Sequence, residues 1–310
     1  MISLSIVVPI YNEEENVKKL HKEIIDVCKK NKYSYEVIFV DDGSSDNTFD
    51  ACKKLKPLKL IQFRKNFGKS AALDAGIRAA KNNYIVTLDA DGQNDPADIP
   101  QMIDYLIKND LDVVSGYRKN RQDPAMKIFV SRVANFSRHI ILHDDINDSG
   151  CCLKVYKKEC FDDVTLYGGQ HRFIPYILKT KGYKVGEIEV NHRPRINGKS
   201  KYNYKRICHG FMDMLSIWFW SKHSTRPMYL IGGTGIVLVV LGLMCGVYTI
   251  ALCTRGVATS SLIMLVSMMF VLTGIVLFAL GLTNEAIIKT YYESKIEKPY
   301  NIKRIIENKK

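Results

Sequence analysis

The chain has 310 residues, a formal net charge of +13 and eight cysteines. That length allows one large domain or two small ones. The cysteines show neither a CxxC nor zinc-ligand spacing, so a disulfide framework or zinc scaffold is excluded and they read as small apolar residues. The basic excess leaves three partner classes open: nucleic acid, an anionic membrane surface, and phosphorylated substrates.

The N-terminus "MISLSIVVPIYNEEEN" carries no basic leader and only a short apolar run, so it reads as a buried strand rather than a targeting segment. "SLSIVVPI" is the first predicted strand. Asn12 and Glu15 have capping-box spacing, and Val17, Leu20, Ile24, Val27 and Cys28 fall on one helical face. "YEVIFVDDGSSDNT" is a second strand running into a turn, where Ser45 or Asp46 is placed to cap the next helix. "LKLIQF" is a third strand, and "GKSAALDAGIRAA" is a helix of small residues suited to close packing. "NYIVTLDADG" is a fourth strand. A helix from about Pro96 to Asn109 leads to a fifth, "DVVSGYR".

Strands alternating with helices predict an α/β fold, a parallel sheet covered on both faces. Ligands of such sheets bind beyond the carboxyl ends of the strands. The polar residues predicted there are Tyr11 to Glu13, Asp41, Asp42, Arg64, Asn66, Asp89, Asp91 and Arg118. No GxGxxG follows the first strand and no GxxxxGK[ST] occurs, which disfavours a dinucleotide dehydrogenase or a P-loop enzyme.

Asp89 and Asp91 stand two apart at a strand end, so their side chains point the same way. Two carboxylates on one side repel unless a cation lies between them, and a hard divalent cation favours oxygen ligands. Gln93 adds another oxygen. An acidic turn is the plain alternative. A general acid–base pair is a third reading, but it needs the two groups set across a sugar. A metal with few protein ligands points to a phosphate partner, and a diphosphate nucleotide is the economical one. Asp95 reads as the start of the helix at Pro96.

Met228 to Leu252 and Leu262 to Leu282 are uncharged apolar runs, each long enough to cross a bilayer. The connector between them carries only Arg255. Lys222 and Arg226 precede the first run, and Lys289, Lys295, Lys298, Lys303 and Arg304 follow the second. The positive-inside rule then places both termini in the cytoplasm and the connector outside. Tyr202 to Arg226 interleaves aromatic and basic residues. Such a stretch can bind single-stranded nucleic acid, but beside a membrane span it reads as an interfacial helix.

"IVVPIYNEEENV", "FVDDGSSDNT", "RKNFGKSAALDAGI" and "LDADGQNDP" resemble, in order and spacing, the motifs of the family 2 inverting glycosyltransferases with a GT-A fold. "GYRKNRQD", "DSGCCLKVY", "HRFIP" and "HRPRINGKSKY" extend the match. With the two apolar runs, the subgroup resembled is the polyprenyl-phosphate glycosyltransferases, dolichol-phosphate mannose synthase-like and bacterial undecaprenyl-phosphate transferases. The resemblance implies a GT-A, Rossmann-like, mostly parallel sheet, then an interfacial helix and two transmembrane helices. It divides the chain into a catalytic domain at 1–201, an amphipathic segment at 202–227, a transmembrane hairpin at 228–283 and a basic tail at 284–310.

The activity it implies is inverting transfer of a sugar from a UDP- or GDP-linked donor to a polyprenyl phosphate at the inner membrane, supplying cell-envelope glycan or glycolipid modification. Pro9, Tyr11, Glu13, Asp41, Asp42, Arg64, Asn66, Lys69 and Asp89 would hold the nucleotide. Asp89, Asp91 and Gln93 would hold Mg2+ or Mn2+, with Asp91, Arg118 and Asp148 at the chemistry. Asp148 matches an aspartate proposed as base in some relatives, although a phosphate acceptor needs little deprotonation. Arg118 is the candidate grip on the acceptor phosphate, through its fixed fork of donors. Lys127, Ser131, Asn135 and Arg138, at helical spacing, and Arg132 beside them extend that grip or form a solvated face. His171 and Arg172 either approach a phosphate or cap the next helix. Arg195, Lys199, Ser200 and Lys201 lie in a basic segment that reads as a phosphate-closing loop or a patch for anionic headgroups.

Gly92 stands where members of the family often carry Leu. The Gln-x-x-Arg-Trp motif of processive polysaccharide synthases does not occur. A GDP-mannose-using synthase, a polysaccharide synthase and a membrane-anchored nucleic-acid-binding or scaffold protein are the alternatives. Nucleic acid is not an expected partner, because it leaves the acidic strand ends unexplained. Sugar, nucleotide, lipid carrier and any homo-oligomer are left open.

Overall fold

A computed structural model describes residues 2–119, 135–194, 205–224, 226–255 and 261–294. The chain divides into two compact units, Met1–Ile217 and Trp218–Lys310.

The first unit is built on a sheet of seven strands: β1 (Ser3–Ile10), β2 (Ser34–Asp41), β3 (Lys59–Gln62), β4 (Tyr84–Thr87), β5 (Val113–Tyr117), β6 (Lys154–Lys157) and β7 (Val185–Glu189), in the order β3-β2-β1-β4-β6-β5-β7. Every pairing is parallel except those of β6, which runs antiparallel between β4 and β5. The expected mostly parallel α/β sheet is present. The inserted reverse strand was not expected, and it matters for the site. It starts where its neighbours end, opposite Thr87 and Ser115, so the residues before it lie along the ligand-binding edge.

Alternation along β1 covers the sheet from both sides. Leu4, Ile6, Val8 and Ile10 join one core with residues of α1 (Val17–Lys30) and α4 (Ile99–Lys108). Val7 joins the other core with Ala72, Leu73 and Ile77 of α3 (Lys69–Ala79). Burying each such aliphatic side chain contributes about 1.5–3 kcal/mol. The small-residue reading of α3 holds: a Cβ placed on Gly76 would sit 2.4 Å from Val7 Cγ1, so only glycine lets the helix come this close to β1.

Two expected caps resolve differently. The Asn12–Glu15 box is not used. Asn12 adopts φ 55°, and its side-chain carbonyl accepts the Ser45 N–H at 2.8 Å, so its amide serves the neighbouring loop while α1 begins at Val17. Ahead of α2 (Thr48–Lys53), the N-cap is Asn47 without a side-chain cap bond, and Asp46, one residue earlier, accepts the Thr48 N–H on Oδ1 at 3.0 Å. Asp95 behaves as read, accepting the Ala97 N–H at 2.9 Å before Pro96.

Residues 135–142 form helix α5, followed by α6 (Ile174–Thr180). The boundary between the units falls within α7 (Lys205–His223). Met214 and Ile217 are buried, whereas Phe211, Met212 and Trp220 are exposed, so this helix has two faces.

The second unit holds α8 (Pro227–Thr254) and α9 (Ser261–Ser294), with membrane-length stretches of mean hydropathy 2.6 and 2.7. Their outward faces are apolar, including Val237, Leu243, Met264, Leu272 and Val276. Glycines form the seam between them. A Cβ on Gly235 would meet the Gly274 carbonyl oxygen at 2.6 Å, one on Gly281 the Gly232 nitrogen at 2.7 Å, and one on Gly242 the Ser267 carbonyl oxygen at 2.8 Å. Ser267 Oγ donates to the Gly242 carbonyl at 2.7 Å. Small residues facing one another and an interhelical hydroxyl bond are how helices associate where lipid supplies no hydrophobic drive.

Candidate active site

The carboxyl ends of β1, β2, β4 and β5 carry the polar residues, and the loops after them are tied together. Asn12 N–H donates to Ser44 Oγ at 2.9 Å and Glu13 N–H to Thr48 Oγ1 at 2.9 Å, joining the loop after β1 to the loop after β2. Asp41, fully buried, accepts the Ser44 N–H at 3.0 Å. Asp42 accepts the Phe67 N–H at 2.7 Å and the Gly68 N–H at 3.0 Å, which fixes the segment carrying Arg64 and Asn66. Burial pushes the Asp42 carboxyl upward, and those two backbone donors oppose the shift. Gly43, at φ 69°, lets these loops meet: its Cβ would lie 2.5 Å from the Lys65 carbonyl carbon. Tyr11 and Glu13 are half-buried and Pro9 lies near the end of β1, whereas Arg64 and Asn66 are exposed. The set borders one edge, with Asp41 and Asp42 organising its backbone.

Asp89, Asp91 and Gln93 follow β4. Asp91 is nearly buried at 9% exposure, and its Oδ1 accepts the Gln93 N–H at 3.2 Å. Gly92 has φ 72°. That left-handed turn favours glycine, and a leucine there would be strained. Asp89 faces Lys69, the first residue of α3, in an ion pair, and Lys69 also donates to Cys152 Sγ at 2.8 Å. Burial acts against both charges. The Lys69 ammonium, together with a hydrogen bond from Cys152, outweighs it and holds the Asp89 carboxyl below the usual carboxylate range, while Asp89 raises Lys69.

Asp89, Asp91 and Gln93 bring two carboxylates and an amide carbonyl to the segment after β4, and such hard oxygen donors are the kind Mg2+ or Mn2+ takes. Asp89 already holds a cationic group. Among the described residues, no cluster of three or more His, Cys, Asp or Glu offers a closed protein cage. The residues therefore fit a divalent cation shared with a ligand's phosphates.

His171 lies behind Lys69. Its Nδ1 is 2.9 Å from Ser70 Oγ, which also accepts the His171 N–H at 3.1 Å. Burial, then Lys69 and Arg172, hold this imidazole well below its ordinary value, so it is neutral at pH 7. His171 lines the same small cavity as Lys69 and Asp89.

Arg118, after β5, forms a two-pronged pair with Asp148: Nε to Oδ2 at 2.7 Å and Nη2 to Oδ1 at 3.0 Å. Their side chains are 11% and 5% exposed. Asp148 Oδ1 also accepts the Gly150 N–H at 3.2 Å. The loop ahead of β6 joins this pair to the Lys69–Asp89 pair, because Thr87 Oγ1 donates to the Cys152 carbonyl at 3.0 Å. Lys154, at the start of β6, is 2% exposed and is capped by the Cys151 carbonyl. Sequence reasoning passed over Cys152 and Lys154. A lysine inside the short strand "LKVY" was the available signal.

Residues after β7 pack on the turn holding Gln93. Arg193 N–H donates to the Gln93 carbonyl at 2.9 Å, and its guanidinium pairs with Asp95 at 2.7 Å and Glu23 at 2.9 Å. Asn191 N–H donates to Asp98 at 2.7 Å. Arg193 was not singled out from the sequence.

Arg138 does not join the expected grip. It is 2% exposed, pairs with the buried Asp144 at 3.2 Å and donates to the Ile146 carbonyl, so it holds α5 to the following loop. Asn135 donates to the Asn147 carbonyl at 2.9 Å. Lys127, Ser131, Arg132, Arg195, Lys199, Ser200 and Lys201 lie outside the described residues.

Residues 5–165 match the family described as Glycosyl transferase family 2. The chain is 32% identical to the dodecaprenyl-phosphate galacturonate synthase of Rhizobium johnstonii, over 99% of this chain and 94% of the relative. It is 31% identical to the undecaprenyl-phosphate 4-deoxy-4-formamido-L-arabinose transferase of Proteus mirabilis, over 99% and 95%. Among solved structures it is similar to mannosyl-3-phosphoglycerate synthase from Rubrobacter xylanophilus, with TM-score 0.57 at 12% identity over 70% of this chain and 74% of that one. It is also similar to glucosyl-3-phosphoglycerate synthase from Mycobacterium tuberculosis in complex with Mn2+, UDP and glucosyl-3-phosphoglycerate, with TM-score 0.56 at 14% identity over 71% and 80%. At such identity the structural likeness speaks for the fold, while the two lipid-phosphate relatives match from end to end. The chain belongs to glycosyl transferase family 2 and is a glycosyltransferase.

Proposed function

We propose that the protein transfers a sugar, with inversion, from a nucleotide diphosphate sugar to a polyprenyl phosphate at the cytoplasmic face of the inner membrane. One observation carries the reading: Asp89, Asp91 and Gln93 follow β4 and the buried Arg118 follows β5 of the same sheet, in a chain that also holds two membrane-length apolar helices. The first suits a diphosphate, the second a phosphate, and the third a lipid-borne acceptor. End-to-end likeness to transferases named for dodecaprenyl and undecaprenyl phosphate supports the same acceptor class.

Tyr11, Glu13, Asp41 and Asp42, with Pro9, Arg64 and Asn66 on the same rim, border the nucleotide. Mg2+ or Mn2+, when held by Asp89, Asp91 and Gln93, would neutralise charge on the departing diphosphate. Arg118 receives the acceptor phosphate, and Asp148 fixes the fork's orientation. A carboxylate accepting two guanidinium N–H bonds is a poor resting place for a proton. An acceptor phosphate, ionised at neutral pH, needs little base, so positioning dominates.

Lys222 and Arg226 before α8 and Lys289 near the end of α9 support a topology with both ends of the hairpin on the cytoplasmic side. The exposed aromatics of α7 suit the headgroup level. The test is incubation of the detergent-extracted full chain with Mg2+, polyprenyl phosphate and a panel of labelled nucleotide sugars, with glucose, N-acetylhexosamine, mannose, galacturonate and 4-deoxy-4-formamido-L-arabinose as sugars. A labelled lipid with one of them names the donor, and no labelled lipid with any panel member rejects the proposal.

A further inference from the structure

Lys69 occupies an unusual place for a lysine. It opens α3, so its backbone is fixed, yet its ammonium lies against Asp89, a carboxylate of the proposed metal site. Its other partner is the Cys152 sulfur at 2.8 Å. We propose that Lys69 is the resident counter-ion of Asp89 in the donor-free enzyme, ceding that carboxylate when a divalent cation and a nucleoside diphosphate arrive together, and then turning to the diphosphate. This rests on the metal-dependent reading above.

The geometry permits the exchange. The side chains of Lys69 and Asp89 are 26% and 27% exposed, so the pair is open to a ligand from the strand-end side. The ammonium rides on a flexible stem and can change partner without moving α3. The two cations cannot share Asp89 at close range without a repulsion of several kcal/mol, at about 4 Å and the effective dielectric of a protein surface.

Local charge sets the order of binding. Lys69, Asp89 and Lys154 line one small cavity, and Lys154 is buried with carbonyl oxygens as its named partners. The ammonium groups of Lys69 and Lys154 therefore already offset the two carboxylates of the proposed metal site, Asp89 and Asp91. A bare divalent cation entering here adds uncompensated positive charge to a site whose carboxylates are already balanced. The same cation carried on a diphosphate does not, and its phosphate oxygens give the displaced Lys69 a new partner. Metal alone should bind weakly and metal with nucleotide tightly. A permanent structural pair would give no such coupling.

The test is Mn2+ binding to the full chain in detergent, followed by electron paramagnetic resonance, for wild type, Lys69→Met, Lys69→Arg and Asp91→Asn, each with no nucleotide, with UDP and with GDP. The expected result is that Lys69→Met binds Mn2+ alone at least roughly tenfold tighter than wild type, as removal of a unit charge a few ångströms away demands. It should also lose most of the gain that UDP or GDP gives wild type, whereas Lys69→Arg keeps the weak nucleotide-free binding. Lys69→Met binding Mn2+ alone no tighter than wild type overturns the inference. Should Lys69→Met fail to fold, wild type decides alone: equal Mn2+ affinity with and without both nucleotides overturns it. Loss of Mn2+ binding in Asp91→Asn beside an unchanged Lys69→Met rejects the role of Lys69 and leaves the metal site standing. Unchanged Mn2+ binding in Asp91→Asn rejects the metal site itself.

Discussion

Asp91 separates the chemistry of the site from its fold. Asparagine keeps a carbonyl for the Gln93 N–H but removes the charge a divalent cation needs. Asp91→Asn should lower sugar transfer by about 10²–10³-fold, the usual loss when one charge-stabilising group is removed, with an unchanged thermal midpoint by differential scanning fluorimetry. Arg118 behaves oppositely. Arg118→Met strands Asp148 at 5% side-chain exposure, and breaking a buried pair on one side costs about 3–5 kcal/mol, to be read from denaturant unfolding of the solubilised chain. His171 sets a pH dependence. Its folded pKa lies well below the ordinary 6.5, so the unfolded chain binds more protons in that window. The stability it contributes is therefore present above about pH 6.5 and lost as pH falls through the window below it. His171→Asn should flatten the decline in melting temperature across that window.

At the scale of elements, loop closure and helix packing hang on glycines. Gly43 combines φ 69° with backbone 2.5 Å from its notional Cβ. Gly43→Ala should cost about 1–3 kcal/mol and raise the KM for the donor more than it lowers kcat, because it pushes apart loops that border the proposed nucleotide site. Gly274→Leu should splay α8 from α9, since a Cβ there already meets the Gly235 carbonyl oxygen at 2.5 Å; a lowered midpoint for aggregation in detergent reports it. Much of this scale was legible in the sequence. Period-2 and helical patterning located β1 to β5 and the helices between them, and the Asp95–Pro96 pair marked a helix start. The reverse strand β6 was hidden because "LKVY" is short and pairs only with distant residues. Arg138 was misread because helical spacing says which residues share a face, not whether that face meets solvent or core. The pairing of Lys69 with Asp89 is a tertiary contact between the start of α3 and the loop after β4, with no local pattern to reveal it.

At the scale of the molecule, a charged catalytic unit and an apolar hairpin occupy one chain. The proposed topology predicts that, with the native Cys253 replaced by Ser, Arg255→Cys in the connector is labelled by a membrane-impermeant maleimide added to intact cells, whereas a cysteine at Lys222 is labelled only after the membrane is opened. The account's central claim is that a sugar, and not a sugar phosphate, passes from a nucleotide to a polyprenyl phosphate. Its most direct test is the nucleotide product released by the purified full chain when labelled lipid forms from the accepted donor. The account predicts a nucleoside diphosphate in one-to-one yield with the lipid product. A nucleoside monophosphate in that yield would contradict it.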